Sequence, residues 1–475
     1  MNRWTPEPDV ASMRALLQRQ RLAWQGGGPP SLAQRKDDLR KLKALILTHQ
    51  REIEDALVSD FGHRARHETA IMELLPVVNA INHQLRHLRR WMRPQRRHVP
   101  LHFQPAQAWV MHQPLGVVGI MAPWNYPLSL ALLPLATALA AGNRVMIKPS
   151  EFTPASSELL LRLLQAAFEP EQVSVVCGGT EVAQAFATLA FDHLVFTGST
   201  EVGRAVMRAA SEHLVPLTLE LGGKSPVLVG QGSDLAHAAA CIAHGKLANG
   251  GQICIAPDYV LLHEADLERF VAAYDQAVKR LYPQGPASPD FTSVLNARHH
   301  VRLLGLIEDA RLKGADVVKV GHCPERAGDR AHTLAPTLLL RVGEGMRVAR
   351  EEIFGPVLPV WTYRAFDEAL GHVNDRPRPL ALYYFGQDKA QQQAVLTRTT
   401  SGNVTINNTL MHYAQDDLPF GGVGPSGMGA YHGEEGFKAL SHAKGIYRQG
   451  RWNMSAVLRP PFGPMADAVL RFMMR

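Results

Sequence analysis

Between residues 117 and 219, short runs of β-forming residues alternate with longer helix-like runs, and nothing else in the chain narrows the fold as much. The β-type runs are 117–121, 144–147, 173–176, 194–196 and 216–219, and helical periodicity occupies 128–141, 155–168, 181–188 and 201–211. Alternation of this kind builds a parallel sheet with helices covering its faces. Such α/β sheets hold ligands at the carboxyl ends of their strands, so the loops after these runs are where chemistry is expected. Beyond residue 222 a second alternating region begins, with strands expected at 226–229, 259–262 and 357–362. No Ser/Gly-rich linker divides the two regions, which implies a shared cleft.

Helix precedes this core. Ser31 is an N-cap candidate, Leu39, Leu42, Leu45 and Ile46 follow with helical spacing, and the chain turns at Gly62 before periodicity resumes to about Trp91. Leu101, Phe103, Trp109 and Val110 sit among polar residues over 99–113, a strand-like excursion whose open edge invites a second copy of the chain. Residues 115–141 are apolar enough to span a bilayer, but Asn125 and prolines at 123, 127 and 134 make a buried strand, turn and helix the better reading. The apolar tail 465–475 is too short to span one and is expected to pack on the protein.

Net charge is +7, which raises nucleic acid as a partner until its placement is considered. Arg86, Arg89, Arg90, Arg93, Arg96 and Arg97 cluster at a helix end that Pro94 terminates, where cations suit the helix dipole. No RNP-like aromatic pattern, zinc finger or heptad accompanies them, so no nucleic acid is expected. His83 and His87 have metal-ligand spacing, but the flanking arginines repel a cation and no metal is expected. Cys177, Cys241, Cys254 and Cys323 form no CxxC pair, and residues 1–10 lack an apolar signal region, so a reducing, cytoplasmic setting is expected.

Five loops carry the chemistry. Thr197 to Gly203 reads as a turn from strand to helix, with Gly198, Ser199 and Gly203 placed to let a phosphate approach free N–H groups; it is weaker than the three-glycine dinucleotide fingerprint. Two prolines pin Asn125 beside Trp124 and Tyr126 at a strand's carboxyl end, where its amide can donate to a developing oxyanion. Lys148, Ser150 and Glu151 follow the next strand, where ribose hydroxyls can be held. Glu220 lies between two leucines, and burial there raises a carboxylate toward the basicity of a useful general base. Gly250 and Gly251 precede Gln252, Ile253 and Cys254, leaving backbone room for a substrate to reach the sulfur. A lone cysteine is ordinarily a small buried hydrophobe, and a hydrolase pairing Cys254 with a histidine is the rival reading.

Taken together, PWNYP (123–127), IKPSE (147–151), FTGSTEVG (196–203), LELGGK (219–224), GQIC (251–254), EEIFGPV (351–357) and PFGGVGPSGMG (419–429) resemble the aldehyde dehydrogenase superfamily in content and order, over residues 10 to 450. Ala256-Pro257-Asp258-Tyr259, PDFTSVLNAR (289–298) and Tyr431-His432-Gly433 ahead of Ser441-His442 resemble its class-three-like branch, and within it the bacterial coniferyl aldehyde dehydrogenases. The resemblance implies a Rossmann-like NAD-binding domain (1–98 and 114–222), an α/β catalytic domain (223–425), and a small β oligomerisation element with the C-terminus (99–113 and 426–475). It implies Cys254 as nucleophile, Asn125 as oxyanion donor and Glu220 as the base that activates water. Glu220 favours water over coenzyme A as the acyl acceptor. It further assigns Lys148 and Glu151 to the adenine-side ribose, Ser199 to the pyrophosphate, Glu352 to the nicotinamide ribose and Phe354 to packing beside the nicotinamide. The cofactor is then NAD, with NADP as the alternative, and the assembly a homodimer. Tyr126, Ile253, Tyr413 and Phe420 would make a mainly apolar pocket mouth, suited to an aromatic aldehyde or, alternatively, a medium aliphatic one.

Overall fold

The computed structural model describes residues 7–322, 330–451 and 454–474; Arg3, Cys323 and Arg475 lie outside them. Six strands form one sheet in the order Gly427–Met428, Leu217–Glu220, His193–Thr197, Val117–Met121, Arg144–Lys148, Val173–Val175. All neighbours run parallel except the Gly427–Met428 edge. The chain leaves Val117–Met121 in one direction, lays down two strands, then returns to its other side at His193–Thr197, which creates a topological switch point at the carboxyl ends of these two strands.

Between the first two strands runs the helix Ser129–Ala141, every residue of which is buried. An all-round apolar helix has no solvent face to display, which is why 115–141 mimics a membrane segment in sequence. No described helix is long and apolar enough to cross a membrane. Ser31 caps Leu32–Thr48 with a reciprocal capping box to Gln34. An additional helix, Val10–Gly27, packs beside the sheet and buries Met13, Leu17 and Gln20.

The second sheet has seven strands, in the order Asp316–Lys319, Thr337–Leu340, Val357–Tyr363, Tyr259–His263, Pro226–Val229, Ala381–Phe385, Asn403–Ile406. Only its Asp316–Lys319 edge is antiparallel.

A third, antiparallel sheet corrects one expectation. Residues 101–103 form a 3-10 turn, and the strand Gln107–Pro114 is paired on both sides, by Gln95–Arg97 and by Ser441–Arg448. The open edge therefore belongs to Ser441–Arg448 and Gln95–Arg97, because the C-terminal strand covers the one from which an edge was expected.

Candidate active site

Three loops meet at the switch point. The first carries Trp124 and Asn125 after strand Val117–Met121, the second Gly198 and Ser199 after His193–Thr197, and Glu220 ends the neighbouring strand. Glu220 is 2% exposed and neither carboxylate oxygen has a hydrogen-bond partner among the described residues. Burial raises its pKa well above the usual carboxylate range, so this carboxyl group takes up a proton more readily than an exposed one.

Cys254 is half-buried and lines two cavities at once. One, of 250 Å³, also contains Trp124, Asn125, Ser199, Glu220, Glu352 and Phe354. The other, of 320 Å³, is mainly apolar and lies beyond Ile253 and Tyr126. Burial, then the Glu352 and Glu220 carboxylates, push the thiol up to about 12, while the backbone N–H groups of Cys254 and Ile255 pull it back. Cys177 and Cys241 line neither cavity.

The preceding glycines also have a packing role. Gly250 and Gly251 have φ of +61° and +78°, and a Cβ on them would lie 2.9 Å from the Thr292 carbonyl oxygen and 2.4 Å from that of Gly355. They make room for neighbouring backbone. Asn125 is buried, and its Nδ2 donates to the Gln252 carbonyl at 3.0 Å, which fixes the amide plane and leaves its second N–H available.

Among the residues expected to hold the cofactor, Lys148 is buried and donates to the Pro149 carbonyl (2.8 Å) and Glu151 (3.2 Å), and Thr180 reaches the other Glu151 oxygen at 3.5 Å. Ser150 accepts from the Phe152 N–H at 3.3 Å. Ser199 caps helix Thr200–Ser211 by accepting from the Val202 N–H, and Gly203 sits where that helix crosses Leu221, a Cβ there meeting it at 2.6 Å. Glu352 is driven up to about 8 by burial and then by Asp258, with the Gly223 N–H opposing. Phe354, at φ +53°, meets the Trp124 ring edge-on at 5.4 Å.

Tyr126, Ile253 and Tyr413 line the apolar cavity, whereas Phe420 is 2% exposed and packs edge-on behind Tyr413 at 5.0 Å. The aromatic shell around Tyr413 leaves Phe420 in a second layer, continuous with His412 and His432.

Several site residues escape sequence reading. Arg64 Nη1 donates to the Asn125 carbonyl at 3.1 Å, and Asn249 Nδ2 reaches the same oxygen at 3.0 Å. Gln252 ties Asn249 to Ser293 and Leu295. Arg302 holds the Glu352 and Ile353 carbonyls, while Asp258 accepts from the Ile353 N–H at 2.8 Å and pairs with Lys224. His299 stacks on Trp124 at 4.7 Å, its pKa lowered to about 4 by burial and then by Arg302 and Arg298.

Residues 11–446 match the aldehyde dehydrogenase family. A probable coniferyl aldehyde dehydrogenase of Pseudomonas aeruginosa is 50% identical over 96% of this chain and 95% of its own. A coniferyl aldehyde dehydrogenase of a Pseudomonas species is 44% identical over 96% and 94%. The solved substrate-bound state of Staphylococcus aureus AldH superposes with a TM-score of 0.91 at 36% identity, covering 97% of this chain and 99% of that one. With Cys254, Glu220 and Ser199 lining one cavity at the switch point, the chain belongs to the aldehyde dehydrogenase family, NAD(P)-dependent enzymes that oxidise aldehydes.

Proposed function

We propose that this chain oxidises an arylpropenal of the coniferyl aldehyde type to its carboxylic acid with NAD. The observation that carries the reading is the position of Cys254, shared between an apolar cavity of 320 Å³ and a second one of 250 Å³ that contains Asn125, Glu220 and Glu352. The names of the relatives at 50% and 44% identity support the aromatic substrate, as does a cavity lining without lysine or arginine.

Cys254, as thiolate, attacks the carbonyl carbon, and the oxygen becomes an alkoxide held by the free Asn125 N–H and the Cys254 backbone N–H. Bound NAD would supply the acceptor for the hydride on that carbon, its nicotinamide half held by Trp124, Glu352 and Phe354. The thioester left on Cys254 is then cleaved: Glu220 takes a proton from water, the hydroxide adds to the acyl carbon, and the acid leaves as the thiolate is restored.

The residues present fit such a cofactor. Glu220, its oxygens without a partner among the described residues, lines the cavity at the switch point, and Ser199 at a helix N-terminus lines it too. Gly198, Ser199 and Gly203 would hold the pyrophosphate, Lys148, Ser150 and Glu151 the adenosine ribose, and Trp124, Glu352 and Phe354 the nicotinamide half.

The division into residues 1–98 with 114–222, 223–425, and 99–113 with 426–475 is part of this reading, as are a cytoplasmic homodimer and its pairing through the three-stranded sheet. A panel of coniferyl aldehyde, cinnamaldehyde, hexanal and decanal, followed by NADH absorbance, tests the substrate. Higher kcat/KM for the aliphatic members overturns the aromatic reading, and a stable monomer by light scattering at micromolar concentration overturns the dimer.

A further inference from the structure

The lining of the apolar cavity is not apolar throughout. Beside Met72, Tyr126, Leu410 and Tyr413 it includes His67, Glu68, His244 and Asp290. Glu68 is already engaged, accepting the Asn249 N–H at 2.7 Å and the Thr292 hydroxyl. Asp290 is exposed at the cavity mouth, and its carboxylate makes no hydrogen bond or ion pair among the described residues.

The backbone that carries this carboxylate is nonetheless fastened. Its own N–H donates to Ser288 Oγ at 3.2 Å, and the flanking Pro289 carbonyl meets the His63 ring at 2.8 Å. Arg330 donates to the Ser288 and Phe291 carbonyls at 2.8 and 3.2 Å, and the Ser293 N–H returns to the His63 carbonyl at 3.0 Å. The loop is thus fastened on both sides of Asp290, so little ordering remains to be done when a ligand arrives.

An ionised carboxylate accepts hydrogen bonds and cannot donate one. In a cavity without lysine or arginine it repels anionic ends and rewards a neutral donor. A volume of 320 Å³ is near the lower end of ligand pockets, room for one ring on a short arm. With the aldehyde carbon at Cys254, the group left at the mouth is the ring substituent farthest from the aldehyde.

We propose that Asp290 is a specificity-determining residue, selecting arylpropenals whose ring carries a free phenolic hydroxyl by accepting its proton in a hydrogen bond. The assignment rests on the aromatic reading above. It is tested with 4-hydroxycinnamaldehyde and 4-methoxycinnamaldehyde at pH 7, whose ring substituents differ chiefly in that donor. In the wild type kcat/KM favours the hydroxylated aldehyde by about tenfold, the scale of one hydrogen bond to a charged group. Asp290→Ala brings the ratio close to one, through KM for the hydroxylated substrate, and Asp290→Asn, which keeps an accepting oxygen, falls between. A wild type without the preference, or an undiminished ratio in Asp290→Ala, overturns the Asp290 assignment while turnover of both arylpropenals leaves the aromatic reading standing. Failure to oxidise either arylpropenal alongside good turnover of decanal overturns both.

Discussion

Arg64→Met tests whether the buried ion pair behind Asn125 supports that residue as the proposed oxyanion donor. Arg64 and Glu73 have fully buried side chains 3.2 Å apart, and the guanidinium lies over the rings of Phe61 and Tyr126 at 4.8 and 4.9 Å while donating to the Asn125 carbonyl. The other Glu73 oxygen accepts the Leu128 and Ser129 N–H groups at 3.2 and 2.7 Å, so the pair fastens the start of the buried helix and the Asn125 loop together. Methionine fills much of the space but leaves Glu73 without its cation, a loss of about 3–5 kcal/mol. Unfolding entropy of about 2.1 cal/mol/K per residue, over 475 residues, converts this to a fall in melting temperature of about 3–5 °C. Glu73 already sits above the usual carboxylate range because of burial, with Arg64 opposing, so the variant raises it further. Folded Glu73 then keeps a proton that the unfolded chain releases near its ordinary pKa of about 4.3, and stability falls as pH rises through that window. Calorimetry at pH 5, 7 and 8 should show the smallest deficit at pH 5, with Glu73→Gln in the same chain recovering part of the loss at pH 8. The pre-steady-state burst of NADH should slow in parallel. A melting temperature unchanged at pH 8, or a deficit largest at pH 5, refutes the reasoning.

Cys254→Ala should abolish NADH formation while leaving NAD affinity, read by fluorescence titration, nearly intact; Cys177→Ala, Cys241→Ala and Cys323→Ala should stay active, and a loss of only about tenfold in Cys254→Ala would remove it as nucleophile. Glu220→Gln keeps shape but accepts no proton from water, so stopped-flow should record one NADH per active site followed by a slow steady state; normal steady-state turnover would rule the residue out as base. Glu151, held by Lys148 and Thr180, repels a 2′-phosphate, so kcat/KM should favour NAD and Glu151→Gln should narrow the NAD to NADP ratio severalfold; an unchanged ratio contradicts the assignment.

What could be read from the chain, and what could not, divides by the distance over which the causes act. The alternation from 117 to 219 reflects strands buried on both faces and helices packed on them, a local consequence of one sheet, and five of the six strands of that sheet follow it. Ala381–Phe385 is equally buried, but a short apolar run without flanking periodicity reads no differently from a piece of buried helix. The short strand Asp316–Lys319 is partly exposed and borrows its shape from its neighbour Thr337–Leu340. In the site, Cys254, Glu220 and Asn125, the proposed catalytic groups, stand out because such side chains come with particular neighbours within a few residues. The groups that aim them do not: Arg64 reaches Asn125 across 61 positions, Asn249 across 124, and Arg302 reaches the Glu352 carbonyl across 50. Each bonds a backbone carbonyl, which any residue type supplies, so no pattern in the partner marks the contact. The same argument explains Gly250 and Gly251, legible as glycines that something must approach, while the identity of what approaches, the Thr292 and Gly355 carbonyls, belongs to the packed structure alone. A substitution at Arg64 or Arg302 therefore acts on the chemistry through loop geometry. Its cost should appear in the burst rate and in stability together, whereas Glu220→Gln separates the two by slowing deacylation without loosening the loops.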